Sequence, residues 1–304
     1  MRLHPFSRLS RLFWFILTCL STTASPKDST SFQKAITKLE STLHGKIGVY
    51  ALNTGNNSVV QYRGKERFPM GCTSKIMGVA AILKKSMREE QFLNKVVQYK
   101  KEDLESWSPI TAKHVQDGLT ILDLASAAIT VSDNTAMNLL AHELGGIEAI
   151  NTFARSLGNQ DFQLDHGWPE EAKSGGPKNK QDSSTPSAMN ASLEKLILGN
   201  ELAPLQKKLF TQWLKNDSVG LNRIRAGVPK GWSVGDKTGT NFYYGIANDI
   251  AVIWPPHCAP LVLSIFTIRQ NKNAKKREDI LAKTTNLVLQ EFAVEDQCLK
   301  SNLF

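Results

Sequence analysis

The chain has 304 residues, 41% of them hydrophobic and 21% charged, and a formal net charge of +9. A chain of this length and ordinary globular composition can bury a sizeable core without metals or disulfide staples. Its basic balance does not amount to a nucleic-acid footprint. Lys84 and Lys85, and Lys275, Lys276 and Arg277, fall at helix-like positions mixed with acids, which describes solvated helix faces, and no recognition module accompanies them.

The first 24 residues read as a secretory signal peptide. Arg2, Arg8 and Arg11 form a basic start, LFWFILTCL is a short apolar run, and Thr22 and Ala24 are small residues at the −3 and −1 positions of a cleavage site. The run is too short to span a bilayer, and Thr18 before Cys19 is a poor lipoprotein signal. A periplasmic or secreted chain is expected, with no membrane contact after cleavage, as a monomer.

Residues 31–43 carry helical periodicity, with Phe32, Ile36, Leu39 and Leu43 on one face. Lys46–Leu52 and Ser58–Tyr62 read as two strands around the turn NTGNN. A helix-rich stretch follows from about Cys72 to Leu214. Within it, residues 165–186 form a polar loop long enough to suggest function. Strands return at Trp232–Lys237, Ile246–Trp254 and Leu261–Ile268, and a final helix is expected over Ala274–Phe292. The fold class is therefore α/β (α+β): one antiparallel five-stranded sheet made by both ends of the chain, flanked by the first and last helices, with an inserted all-α domain. The expected domains are 25–65 with 216–304 for the sheet and 66–215 for the helical insertion. A cleft between them is the natural ligand site.

Three short motifs sit in order on these elements: Cys72-Thr73-Ser74-Lys75 at the start of an apolar helix, Ser132-Asp133-Asn134 between two helices, and Lys237-Thr238-Gly239 at the end of a strand. Lys75 lies one helical turn after Cys72, so a nucleophile and a base point into one cleft. The helix N-terminus favours an anion at Cys72, and a thiol there beside a lysine has a lowered pKa.

In this order the motifs resemble the S-x-x-K, S-D-N and K-T-G set of class A β-lactamases and penicillin-binding proteins. FPMGCTSK, LASAAITVSDNTAMNLL and RIRAGVPKGWSVGDKTGT extend the resemblance, which covers about Ser31 to Phe292. The last of these is close to the carbapenem-hydrolysing branch. The resemblance implies a two-domain hydrolase that acts on a small-molecule β-lactam through an acyl-enzyme, without cofactor, metal or nucleic acid. It implies that Ser132 relays a proton and that Asn134 holds a substrate amide. Lys237, Thr238, Gly239 and Arg223 would bind the substrate carboxylate, Trp107 borders the pocket, and the backbone N–H groups of Cys72 and Thr240 form the oxyanion hole.

The chain departs from that pattern twice. Cys72 stands where the family carries serine, and Gly71 before it is also unusual. A thioester intermediate on Cys72 is the expected consequence. The family also shows R-W-E-x-E-L-N, whose glutamate activates water for deacylation, where this chain has His166-Gly167-Trp168-Pro169-Glu170-Glu171-Ala172. An ungapped alignment puts Trp168 at the glutamate; one extra residue between the second and third motifs would instead match Trp168 with the family's tryptophan, which makes Glu170 or Glu171 the candidate base. Two alternatives remain: a penicillin-recognising protein that acylates with slow turnover, as a sensor or trap, and an acyltransferase or peptidase on a related substrate.

Without the leader three cysteines remain, an odd number. Cys258 lies at the tip of the turn WPPHCAP. The last strand runs away from that tip, and a helix over about 274–292 returns roughly 27 Å at ~1.5 Å per residue. Cys298 should therefore lie near Cys258, and their pairing would leave Cys72 free. His114, His142 and His257 are isolated and show no metal-ligand spacing.

Overall fold

The computed structural model describes residues 30–174, 176 and 180–303. The expected leader, residues 1–24, lies outside them. The first helix, α1 (Thr30–Leu43), buries Phe32, Ile36 and Leu43, a 3.6-residue stripe, against the sheet that follows. Strands β1 (Gly45–Asn53) and β2 (Val59–Tyr62) pair antiparallel across the NTGNN turn. Two short ladders tie down the connections: β3 (Phe68–Pro69) pairs with β6 (Ser183–Ser184), and β4 (Val96–Val97) with β5 (Leu119–Thr120). The helical block comprises α2 (Lys75–Ser86), α3 (Ile121–Thr130), α4 (Asn134–Glu143), α5 (Ile147–Ser156), the single turn α6 (Glu171–Ser174), α7 (Pro186–Ile197) and α8 (Pro204–Lys215). Strands β7 (Ser233–Thr240), β8 (Ala247–Trp254) and β9 (Leu261–Arg269) complete the sheet, and α9 (Glu278–Ala293) and α10 (Gln297–Leu303) end the described chain.

The sheet order is β2-β1-β9-β8-β7, antiparallel throughout. The first and last strands of the chain thus meet in the middle, where β1 and β9 pair from Gly45↔Arg269 to Asn53↔Leu261. Alternation along β9 sorts its residues between two cores. Leu261, Leu263 and Ile265 face α1 and α9, whereas Val262, Phe266 and Ile268 join the core under the helical block. The edge strand β7 is left beside the helical block, and this puts the third motif next to the first two.

Three local features differ from the sequence reading. Lys237-Thr238-Gly239 lies inside β7 rather than at its end, because ladder pairing with β8 continues to Thr240↔Ala247. The last helix starts at Glu278, not Ala274, so Lys275, Lys276 and Arg277 stand before it. Three cations in a first turn would oppose the helix dipole, whereas Glu278 and Asp279 complement it. Beyond α9 a short turn leads into α10, which carries Cys298 to Cys258: the two are joined by a disulfide with Cα atoms 5.9 Å apart. No helix among the described residues is long and apolar enough to cross a membrane.

Candidate active site

Cys72 sits in a 3-10 turn, Gly71–Ser74, that runs directly into α2. The turn is pressed against the sheet. Gly71 has φ +52°, and a Cβ there would stand 2.6 Å from Asn241 Oδ1 and 2.9 Å from the Thr240 nitrogen. Gly239 is equally constrained, since a Cβ would lie 2.3 Å from the Met70 carbonyl oxygen. Only glycine fits at these two positions. From β8, Asn248 Nδ2 donates to the carbonyls of Pro69 (2.7 Å) and Met70 (3.1 Å), which fixes the turn against the strands.

Lys75 is fully buried. Its ammonium donates to the Ser132 carbonyl (2.7 Å) and to Asn134 Oδ1 (2.6 Å), and lies 3.4 Å from Ser132 Oγ. Lys237, also buried, donates to Ser132 Oγ at 3.1 Å. With two ammoniums on its lone pairs, the Ser132 hydroxyl keeps its own proton to give. Ser132 has φ +59°, in the left-handed region, a strain characteristic of functional turns. Asp133 beside it serves the scaffold. Its Oδ1 accepts the Ala136 N–H, capping α4, and its Oδ2 accepts the N–H groups of Ile110 and Thr111.

Burial holds the Lys75 ammonium below the ordinary lysine range, against the opposing pull of the Cys72 anion. Burial also raises the Cys72 thiol, but the charges of Lys75 and Lys237 outweigh it, and the net shift is downward. Cys72 therefore has the electropositive, half-open setting of a reactive thiol.

The two loop carboxylates separate. Glu171 is 1% exposed, and its Oε1 accepts from Cys72 Sγ at 3.6 Å. Burial raises its pKa well above the carboxylate range, and the charge at Cys72 raises it further. Glu170 is exposed and pairs with Lys173 at 2.5 Å, so the structure removes it from the site. The reason is local geometry. The Glu171 N–H bonds the Gly167 carbonyl in a helical turn, where neighbouring side chains point about 100° apart, and only one of the two can face inward.

Arg223 is 1% exposed, and its five N–H donors all have protein acceptors: the carbonyls of Gly239 and Asn248, Thr240 Oγ1 at 2.6 Å, and Glu278 Oε1 twice. It fixes Thr240, and both residues line the same cavity. Gly239 packs on the nucleophile turn. Glu278, absent from the sequence reading, holds both Arg223 and Lys276. Nothing local marks it, because it reaches the site only through the packing of α9.

Cys72, Ser132, Asn134, Glu171, Thr238 and Thr240 share the walls of one cavity of about 280 Å³. Trp107 and Phe242, both 63% exposed, line it as well, and so does Lys276. The Trp107 indole is pinned by a hydrogen bond to the Val131 carbonyl (2.9 Å). The arrangement places a thiol, a carboxylate, two ammoniums and a hydroxyl around one small apolar-walled space, which is the equipment for acyl transfer.

Residues 31–292 match the β-lactamase enzyme family. The chain is 42% identical over 286 residues to the carbapenem-hydrolyzing β-lactamase KPC of Klebsiella oxytoca, covering 93% of this chain and 97% of that protein. The chain belongs to the class A β-lactamase family. It is 44% identical over 262 residues to the β-lactamase Toho-1 of Escherichia coli, across 86% of this chain and 89% of that one. The crystal structure of a β-lactamase from Desulfarculus baarsii superimposes with a TM-score of 0.85 at 41% identity, covering 88% of this chain and 98% of the other. The five-stranded sheet and its helices are thus the β-lactamase fold, and the chain is a β-lactam hydrolase by family.

Proposed function

We propose that this enzyme opens β-lactam rings through a thioester on Cys72. The contact between Cys72 Sγ and Glu171 Oε1 carries the reading, with the Lys75 and Lys237 ammoniums beside it. In the first step the Cys72 proton passes to Glu171. Sγ attacks the lactam carbonyl, and the oxyanion is held by the N–H groups of Cys72 and Thr240. The tetrahedral intermediate collapses with cleavage of the C–N bond, while the Ser132 hydroxyl gives its proton to the ring nitrogen and recovers one from Lys75, which in turn takes back the proton that Glu171 received from Cys72, so that both ammoniums and the Glu171 carboxylate are restored. Proton delivery at this point matters, because a thiolate leaves more readily than an unprotonated amine. Ring opening then makes the step irreversible.

In the second step water, deprotonated by Glu171, adds to the thioester carbonyl. Sγ leaves as thiolate, stabilised by the two ammoniums, and the product acid departs. Asn134 Nδ2 and Thr238 hold the substrate amide and carboxylate, with Lys237 supplying charge. Penicillins, cephalosporins and, from the likeness to the KPC relative, carbapenems are the substrates to try. The leader read in residues 1–24 puts this activity in the periplasm or outside the cell. We read the cleft as lying between the unit built on the five-stranded sheet and the helical block.

One observation favours slow turnover as a second reading. Burial keeps Glu171 protonated to unusually high pH, and a protonated carboxyl is a poor base for water. Incubating the protein with a chromogenic cephalosporin, while following colour and intact mass, separates the two. Steady colour with a transient adduct on Cys72 supports hydrolysis. A stoichiometric burst with a lasting adduct supports the trap. Labelling that persists in Cys72→Ala, on Ser74 or Ser132, overturns the thioester.

A further inference from the structure

Trp168 heads the large fully buried side chains, at 1% exposure, although it belongs to a polar surface loop. Its position is over-determined. Asn138 of α4 grips its backbone from both sides: Oδ1 accepts the Trp168 N–H at 2.9 Å, and Nδ2 donates to the Trp168 carbonyl at 2.5 Å. Its indole Nε1 donates to Ser74 Oγ at 3.2 Å, inside the nucleophile turn, and that hydroxyl donates onward to the Gly71 carbonyl at 2.9 Å. The Lys75 ammonium lies 6.0 Å from the indole centroid. Trp168 also sits within the Gly167–Glu171 turn that delivers Glu171 to Cys72. One short segment therefore flanks the catalytic turn on two sides, with an indole under Ser74 and Lys75 and a carboxylate on Cys72.

A hydrophobic core has no need of these contacts. An indole that only filled space would not be tied to the Ser74 hydroxyl, between the nucleophile and the lysine. We propose that Trp168 is a positioning residue: its indole walls off the far side of Lys75 from water and, through Ser74 and the Glu171 turn, sets which member of the Cys72–Lys75–Glu171 group carries the proton. The inference takes that group as the reacting one, in line with the proposed function.

The charged groups facing Lys75 are Cys72 on its own turn, Lys237 from β7, Glu171 from α6 and Asp133 ahead of α4. Replacing Trp168 deletes none of these charges; it removes the indole contact at 6.0 Å, a weak one at that distance, and opens the site to water, and hydration is the larger effect. Water admitted beneath the ammonium stabilises its charged form. The direction follows: Trp168→Leu moves the Lys75 titration upward.

The test is a titration of protein carrying lysine labelled with 13C at Cε, with the Lys75 resonance assigned through Lys75→Arg. In Trp168→Leu the Lys75 midpoint should rise by about one unit. In Trp168→Phe, which keeps a buried ring, it should stay within a few tenths of a unit. Trp168→Met carries the same comparison should the leucine variant not fold. A midpoint unchanged in the folded leucine or methionine variant, with only the melting temperature lowered, overturns the proposal. The readout needs no β-lactam, so a failure of the thioester chemistry, seen as absence of a Cys72 adduct, is distinguishable from a failure here.

Discussion

Cys72 Sγ and Glu171 Oε1 lie 3.6 Å apart although 99 positions separate them in the chain. The contact puts a proton acceptor on the nucleophile itself, while the ammonium of Lys75 is engaged by Ser132 and Asn134.

Replacing the two neighbouring glutamates should therefore give opposite results. Glu171→Gln should cut deacylation by about 10²-fold or more, the scale of a general base, and the Cys72 adduct should accumulate in intact-mass spectra. Glu170→Gln should match the parent in both steps, because its carboxylate is exposed and, among the described residues, pairs with Lys173. Equal effects from the two variants would place the base elsewhere.

Gly71 is a second point of leverage. Gly71→Ala forces a side chain into φ +52° and into Asn241 and the Thr240 nitrogen. A loss of about 1–3 kcal/mol in denaturant unfolding is expected, together with slower Cys72 acylation as β7 is pushed off the nucleophile turn. A variant that keeps both the parent's stability and its acylation rate would contradict the close approach.

The bond between Cys258 and Cys298 closes a loop of 40 residues. Loop entropy alone assigns it about 3–4 kcal/mol. Cys298→Ser should lower stability by that order and leave the sheet end of the site working, since α10 packs on α9, away from Cys72. Thiol titration of the oxidised protein without residues 1–24, which include Cys19, should find a single reactive group, lost in Cys72→Ala.

Stability should depend on a buried carboxylate behind the third motif. Burial raises Asp236 to about 7, the charge of Asp217 adds to the rise, and Arg225 opposes it. The unfolded chain releases that proton near the ordinary value of ~3.9. Between these limits the folded state binds the proton and the unfolded state does not, so this contribution is present at acid pH and fades as pH climbs through about 7. Asp217→Asn removes the neighbouring charge and should flatten the profile of melting temperature between ~pH 4 and about 7. A steeper profile would reverse the assignment.

Period and motif order fixed much of this protein before any tertiary contact was known. The stripe Phe32, Ile36, Leu43 made α1 legible, and alternating apolar residues with tight turns made the sheet legible, because both depend on residues a few positions apart. The spacing from Cys72 to Lys75 placed nucleophile and lysine in one cleft for the same reason. Other features were decided by segments remote in sequence. Adjacent glutamates in a polar loop look alike as letters. The turn from Gly167, held by Asn138, turns Glu171 inward and Glu170 outward. Arg223 reads as a substrate clamp, and only the packing of α9 brings Glu278 against it. Gly71 looks like a weak variant of a motif until β7 is packed close enough that any Cβ would collide. Side-chain direction around a short turn, and the distance between packed elements, are set by long-range packing that local periodicity does not encode.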